Sequence, residues 1–401
     1  MVELIKIGFV FLAIMTLTIM KVSLWISLLG TTFLFGLLFH LPVVKIGTDL
    51  VLAAIDEKTL LLIAALFTIL FFSNLLKETG RMNKILEGFR HILKDIRVVI
   101  ALLPAMIGLM PLVGGALVSA PMVVEGSDQL KLSPERRTFI NYWFRHVWEY
   151  ILPTYPALIL AATLMGVPVR TLGWVNLPLT PVAILSGATI GFWGISKAPQ
   201  GEALSQRTSV WELLKNLFPL IFALVLVVGF KVELAYAFIL TILGMILSYR
   251  MDLKSVIKAL KGSFSIELLL TVVTVMGFKK VLESSQAILT ISAFLSSSGV
   301  PFRLSAIFVP MIVALMTGMT IAPIAIGFPI LIPLFQNDPE FLNYMMLAFA
   351  SGIAGDLLSP FHLCLVLTKD YFKADLRGVY RLLWVPAASL LGVAILLTYI
   401  R

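Results

Sequence analysis

The sequence predicts an all-α polytopic membrane protein built from two inverted repeats. Each repeat holds five transmembrane helices plus one re-entrant hairpin, making about ten spans and two hairpins. Three observations lead there: composition, an internal duplication, and the way charge is sorted along the chain. Of 401 residues, 59% are hydrophobic and 13% charged, and mean hydropathy is +1.00. So little polar surface cannot cover a soluble globule of this size, and lipid must serve as solvent.

A spanning helix needs roughly 20 predominantly apolar residues. Such stretches occur at 3–20, 22–40, 60–79, 138–166 and 172–195, and again at 210–229, 232–250, 264–280, 341–366 and 380–400. Glu3 and Lys6 stand at the start of the first stretch, and no small-residue cleavage site follows before Lys21. It therefore reads as a retained helix rather than a signal peptide. The single cysteine, Cys364, excludes a disulfide framework and a cysteine-based metal cluster, and reads as packing. The net charge of +9 is carried by residues flanking the apolar stretches, which fits a membrane topology and gives no reason to expect a nucleic-acid partner.

Sliding the chain by a little over half its length brings similar segments into register, in the same order from end to end. Glu3-Leu4-Ile5-Lys6 falls on Glu212-Leu213-Leu214-Lys215, Pro104 on Pro310, Phe139-Ile140-Asn141-Tyr142 on Phe341-Leu342-Asn343-Tyr344, and Pro156 on Pro360. The repeats are read as residues 1–200 and 209–401. Each also contains an uncharged stretch rich in breakers, 98–124 and 304–336. As one helix the second would reach roughly 50 Å, against a hydrocarbon core of about 30 Å. Pro111, Gly114, Gly115 and Pro121 interrupt the first, and Gly318, Pro323, Gly327 and Pro329 the second, so each reads as a helix, a turn and a returning helix.

With hairpins at those two places, most cations fall on one face, among them Arg81, Lys84, Arg90, Lys94, Arg97, Lys131, Arg136, Arg137, Lys254, Lys258, Lys261, Lys369, Lys373, Arg377 and Arg381. The positive-inside rule makes that face cytoplasmic. Five crossings per repeat is an odd number, so the second copy enters the membrane upside down and both termini are extracytoplasmic. The expected location is the cell inner (plasma) membrane.

An ionisable side chain deep in a bilayer costs several kcal/mol unless paired or facing a polar cavity. Arg145, His146 and Glu149 lie in the stretch 138–166, read as a broken helix. Asp356 and His362 lie in its mate, 341–366. Both carboxylates precede a proline break, Pro153-Thr154-Tyr155-Pro156 and Ser359-Pro360. Broken helices expose carbonyl ends that coordinate cations and amide ends that attract anions. The candidate substrate and ion site therefore comprises Gly114, Gly115 and Ser119 at one hairpin tip, Gly318 and Thr320 at the other, and Asn141, Arg145, Glu149, Thr154, Asn343, Ser351, Asp356 and Ser359 on the broken helices. Asp356 is the expected coupling carboxylate, serving H⁺ or Na⁺, with Na⁺ the metal to consider beside it. No organic cofactor is expected. Arg145 and Glu149, spaced i, i+4, fit a structural ion pair as well as a substrate role. The two histidines read first as hydrogen-bonded core residues.

The segments Met110-Pro111-Leu112-Val113-Gly114-Gly115-Ala116-Leu117-Val118-Ser119-Ala120-Pro121 and Gly318-Met319-Thr320-Ile321-Ala322-Pro323, each followed by an Asn-Tyr helix, resemble the ion transporter superfamily of gluconate, citrate, dicarboxylate and arsenite permeases. Over nearly its full length the chain looks like that superfamily's domain-of-unknown-function family 401. The resemblance implies a permease in which hairpins and broken helices bind substrate and move as an elevator against a homodimeric scaffold. Gly-Gly-Ala and Met-Thr-Ile stand where the sodium-coupled dicarboxylate carriers have Ser-Asn-Thr, so sodium coupling and dicarboxylate specificity do not carry over. The expected function is ion-coupled secondary transport of a small organic anion. A cation/proton antiporter is the alternative, needing the two carboxylates but no anion site. A membrane-embedded metallohydrolase, suggested by the His146-x-x-Glu149 spacing, is the distant one.

Overall fold

The computed structural model describes residues 2–20, 22–81, 84, 85, 88, 95–109, 115–196, 210–285 and 302–400. Helices account for nearly all of them, and no strand occurs among the described residues. In chain order they are α1 (Val2–Ile19), α2 (Leu24–Leu38), α3 (Val43–Ala54), α4 (Glu57–Glu78), α5 (Ile96–Gly108), α6 (Gly115–Gln129), α7 (Pro134–Arg145), α8 (Pro156–Met165), α9 (Val169–Asn176) and α10 (Leu179–Phe192). Then follow α11 (Val210–Leu224, continued as a π-turn over Val225–Gly229), α12 (Leu234–Ser248), α13 (Leu253–Gly262), α14 (Ile266–Ser284), α15 (Phe302–Thr317), α16 (Ile321–Phe335), α17 (Phe341–Leu357), α18 (Leu363–Phe372) and α19 (Leu376–Ile400).

This succession has a period. The starts of α1 to α9 and of α11 to α19 pair off in order at separations of 206 to 210 residues (302 − 96 and 234 − 24). Packing is exchanged between the two series. Helix α4 lies against α12 and α13, while α14 lies against α2 and α3; α6 touches α18, and α8 touches α16. Asn74 Nδ2 donates to Ser263 Oγ at 3.0 Å across that exchange.

Among the described residues three helices are long and apolar enough to cross a bilayer alone: α4, α11 with its π-turn, and α19. The pairs α8–α9, bent by 111°, and α13–α14, bent by 46°, qualify when joined. Of the stretches expected from hydropathy, 138–166 and 341–366 are broken as their prolines suggest and 172–195 is divided between α9 and α10, while several of the others hold a helix shorter than the stretch itself. Helix α2, for example, has 15 residues, about 22 Å against a core of about 30 Å. Capping and breaking residues set these limits, and hydropathy does not register them. At α8–α9 the turn is made by Gly166, at φ 71°, followed by Pro168; a positive φ is open to glycine at little cost.

Around the breaks the core is aromatic. Trp143 is stacked on Phe139, donates its indole N–H to Ala183 O at 2.8 Å, and packs so closely against Gly187 that a Cβ there would strike the indole ring.

Because each half buries helices of the other, neither should be stable alone. Segments 1–196 and 210–401, coexpressed as separate polypeptides, should copurify as one monodisperse complex, while each expressed singly should aggregate. A well-behaved single half in size-exclusion chromatography would contradict the exchanged packing.

Candidate functional site

The site is built where helices stop. Helix α7 starts on a strong signal: Ser133 caps it by accepting from Arg136 N at 3.3 Å, Pro134 occupies the first turn, and Glu135 adds favourable charge there. It stops at Arg145, and residues 146–155 form turns until Pro156 opens α8. Helix α17 runs on to Leu357, and Ser359 and Pro360 form a shorter break before α18. Glu149 and Asp356 each lie 15 residues beyond the start of their helix (149 − 134 and 356 − 341), and Pro153 and Pro360 each lie 19 (153 − 134 and 360 − 341). This register pairs the two carboxylates. It differs by five residues from the match of Asn141-Tyr142 to Asn343-Tyr344, because apolar helices align in more than one register.

The two breaks meet inside the protein. Asp356, 1% exposed, has Oδ1 2.9 Å from His362 Nδ1. That distance suits an ion pair, although neither atom has a well-aligned hydrogen bond. Thr320 Oγ1 donates to Asp356 Oδ2 at 3.0 Å. Thr320 occupies the N-cap position of α16 without capping it, so its hydroxyl serves the carboxylate instead of the helix.

From the other break, His146 Nδ1 is 2.6 Å from Tyr142 O, which makes Nδ1 the protonated nitrogen, and Nε2 lies 3.9 Å from Glu149 Oε1. Glu149 Oε2 is buried without a hydrogen-bond partner. The rings of His146 and His362 meet edge to face, centroids 5.0 Å apart, and Tyr142 packs against both. Arg145 Nη1 donates to Cys364 Sγ at 3.1 Å.

The tip between α15 and α16 is seated on this junction. Gly318 has φ +64°, and a Cβ on it would lie 2.6 Å from His362 N. Ser359 Oγ donates to Leu315 O at 2.7 Å and accepts from Phe361 N at 3.2 Å. On the other side Thr154 Oγ1 donates to Leu109 O at 3.2 Å, Tyr155 OH to Gly108 O, and Trp148 Nε1 to Ala105 O at 2.9 Å.

The residues singled out from sequence thus separate into groups. Arg145, Glu149, Thr320 and Asp356 belong to one buried cluster. Thr154, Ser359 and Gly318 hold helix ends against it. Asn141 lies beside it, donating to Ala116 O at 3.0 Å and Thr368 Oγ1 at 3.3 Å, and so ties α7 to α6 and α18. Ser119 is buried in α6 and donates to Ala116 O at 3.3 Å, while Gly115 is the first residue of that helix. Ser351 is buried in α17, its hydroxyl spent on Leu347 O. Asn343 stands in the first turn of α17, bonded to Glu340 Oε2, about 20 Å along the helix from Asp356. Gly114 lies outside the described residues.

Arg145 and Glu149 do not share a helix, because α7 ends at Arg145, so the i, i+4 pairing does not apply. Cys364, read from sequence as packing, faces Arg145, and His146 and His362 join the charged cluster. The available signal was His362 and Cys364 straddling the helix start just past Pro360. A cavity of about 430 Å³ lined by Lys58, Arg170 and Lys231 shares no residue with the cluster.

Fold and site together define an all-helical membrane protein whose broken helices converge on buried ionisable groups. The chain belongs to the DUF401 family, described as a protein of unknown function, whose model matches residues 6–400. Its fold is similar to that of the Alcanivorax borkumensis YdaH transporter, whose crystal structure revealed an unusual topology. The TM-score is 0.60 at 14% identity, over 84% of each chain. No curated protein matches it.

Gly318→Ala should lower stability by roughly 1–3 kcal/mol through left-handed strain and contact with the 361–362 backbone. The measurement is the thermal midpoint of the purified protein, and an unchanged midpoint would show that the tip is not seated on the break.

Proposed function

We propose that the protein is an ion-coupled secondary active transporter of a small organic anion, working by elevator-type alternating access. One observation carries this reading: Glu149 and Asp356, at matching positions beside two helix breaks, are buried together with Arg145, His146 and His362. Burying so many ionisable groups costs several kcal/mol each unless they compensate one another, and proteins keep them in membranes where ions or substrates pass. The fold shared with a transporter supports it. So do the paired helix starts and exchanged packing, which fit two copies of opposite orientation whose inward and outward states have similar energy. Arg145, His146, Glu149, Asp356 and His362 are all buried, which fits an occluded state.

In this reading the amide ends of α8, α16 and α18, with Arg145, receive the anion. Asp356, bound to Thr320 at a hairpin tip, couples the ion by being neutralised with H⁺ or Na⁺. The apolar outer face of α11, where Trp211, Phe218 and Phe222 are exposed, meets lipid and the second copy of a homodimer. The sorting of cations along the sequence supports an inner-membrane location with both termini outside.

A thermal-shift screen against organic anions, with and without Na⁺ and across pH, should find a ligand whose stabilisation depends on the coupling ion; at one hundred times Kd the gain is about 2.7 kcal/mol. Asp356→Asn should abolish that ion dependence, and Arg145→Gln the anion response. Transport with unchanged ion dependence in Asp356→Asn would remove Asp356 from the mechanism. The antiporter alternative would instead give pH-driven Na⁺ flux in vesicles holding no organic substrate.

A further inference from the structure

We infer that His146, His362 and Cys364, with Glu149 as fourth donor, form a binding site for a borderline or soft divalent transition-metal ion, with zinc as the representative. This goes beyond the transport reading and stands independently of the organic anion. One ligand atom from each of the first three residues lies within 4.8 Å of the others. Edge-to-edge separations in a tetrahedral site, with metal–nitrogen distances of about 2.0–2.1 Å and metal–sulfur of about 2.3 Å, are shorter than this by about 1 Å. Small side-chain rotations at the two turn segments are sufficient to close that gap.

Orientation separates this cluster from a chance meeting of polar core groups. A metal-ligating histidine normally gives its second ring nitrogen to a carboxylate or a backbone carbonyl, which fixes the ring and its tautomer. Here a carbonyl takes that place on one ring, and on the other a carboxylate stands at ion-pair distance. His362 Nδ1 lies 2.9 Å from Asp356 Oδ1, and His146 Nδ1 lies 2.6 Å from Tyr142 O. Nε2 is thereby the nitrogen each histidine has left for a ligand. Asp356, itself held by Thr320, becomes a positioning residue. Arg145 donates to Cys364 Sγ, as suits a thiolate.

Glu149 lies outside that 4.8 Å group but beside His146, and it is the fourth donor inferred here. Glu149 is 6% exposed, its Oε1 lies 3.9 Å from His146 Nε2, and its Oε2 is buried with no hydrogen-bond partner. A buried carboxylate oxygen without a partner is expensive, and a cation would satisfy it. Charge also balances: a thiolate and two carboxylates against one guanidinium leave two negative charges, which one divalent cation cancels. The donor set of two nitrogens, one sulfur and one oxygen suits zinc-like ions. Na⁺, Mg²⁺ and Ca²⁺ prefer several oxygens.

The test uses the detergent-purified full-length chain stripped with chelator. Cys364 is its only thiol, so labelling reports the site directly. In the wild type, Zn²⁺ should slow maleimide labelling of Cys364 at least tenfold, and excess Mg²⁺ should not. Co²⁺ should bind at one equivalent with a thiolate-to-cobalt charge-transfer absorption that Zn²⁺ displaces. Cys364→Ser should lose that absorption. His146→Gln and His362→Gln should weaken Co²⁺ binding at least a hundredfold, whereas Asp356→Asn should keep the absorption and weaken binding about 10–100-fold. Unprotected labelling in the wild type, or Co²⁺ uptake without the thiolate band, overturns the proposal without any variant having to fold. An organic anion that stabilises the protein while neither metal result appears would leave the transport reading standing and this one refuted; the converse pattern would do the reverse.

Discussion

A helix that stops inside a hydrocarbon layer leaves its last carbonyls without partners, and no water is present to take them. The centre of this protein is organised around that requirement. The carbonyls of Ala105, Gly108 and Leu109, at the end of α5, accept from Trp148, Tyr155 and Thr154, all of which lie in the turns after α7. Leu315, near the end of α15, accepts from Ser359, in the turn after α17. Leu357 and Leu358 accept from Tyr142 and Tyr380. The ends of α5 and α15 are completed by side chains from the two breaks, and the end of α17 by tyrosines of α7 and α19, so the breaks are fixed to the helices that end beside them.

Fixing the breaks together also concentrates their charge. Glu149 and Asp356 occupy matching places in the two series of helices, yet their surroundings differ. The second break is short and brings His362 against Asp356, with Thr320 on the other oxygen. The first is longer, spanning residues 146–155, and leaves one oxygen of Glu149 without a partner. A duplicated framework therefore carries chemistry that is not duplicated: Asp356 has Thr320 on one oxygen and His362 at ion-pair distance from the other, while among the described residues Glu149 has only His146, at 3.9 Å.

Much of this framework was legible in the chain. The glycine and proline cluster at 318–329 marked the turn at 318–320, the prolines near 153 and 360 marked the breaks, and Glu149 and Asp356 stood out as carboxylates in apolar surroundings. Two things were hidden for physical reasons. Hydropathy is blind to where a helix stops, so short helices between the apolar stretches, such as α3 and α13, were not foreseen, and Arg145 and Glu149 were placed on one helix that ends between them. The meeting of His146 with His362 and Cys364 depends on two distant turns packing face to face. No local spacing encodes that, and a lone cysteine in an apolar helix gives no sign of a guanidinium and two imidazoles beside it.

Electrostatics then constrains how such a protein could change state. Two conformations are both usable only when their free energies lie within a few kcal/mol. A single uncompensated charge buried at the centre costs several kcal/mol by itself, enough to remove an occluded state from the accessible set. Groups as buried as Asp356, His362, Glu149 and Arg145 must therefore sum to neutrality whenever the centre is closed to water. Whatever supplies the missing charge, a proton, a cation or an anion with its partner ion, also decides whether closure is possible. Under the transport proposal, coupling then needs no separate gate: a cluster that bound the ion would be the same one whose net charge permits or forbids passage through an occluded state.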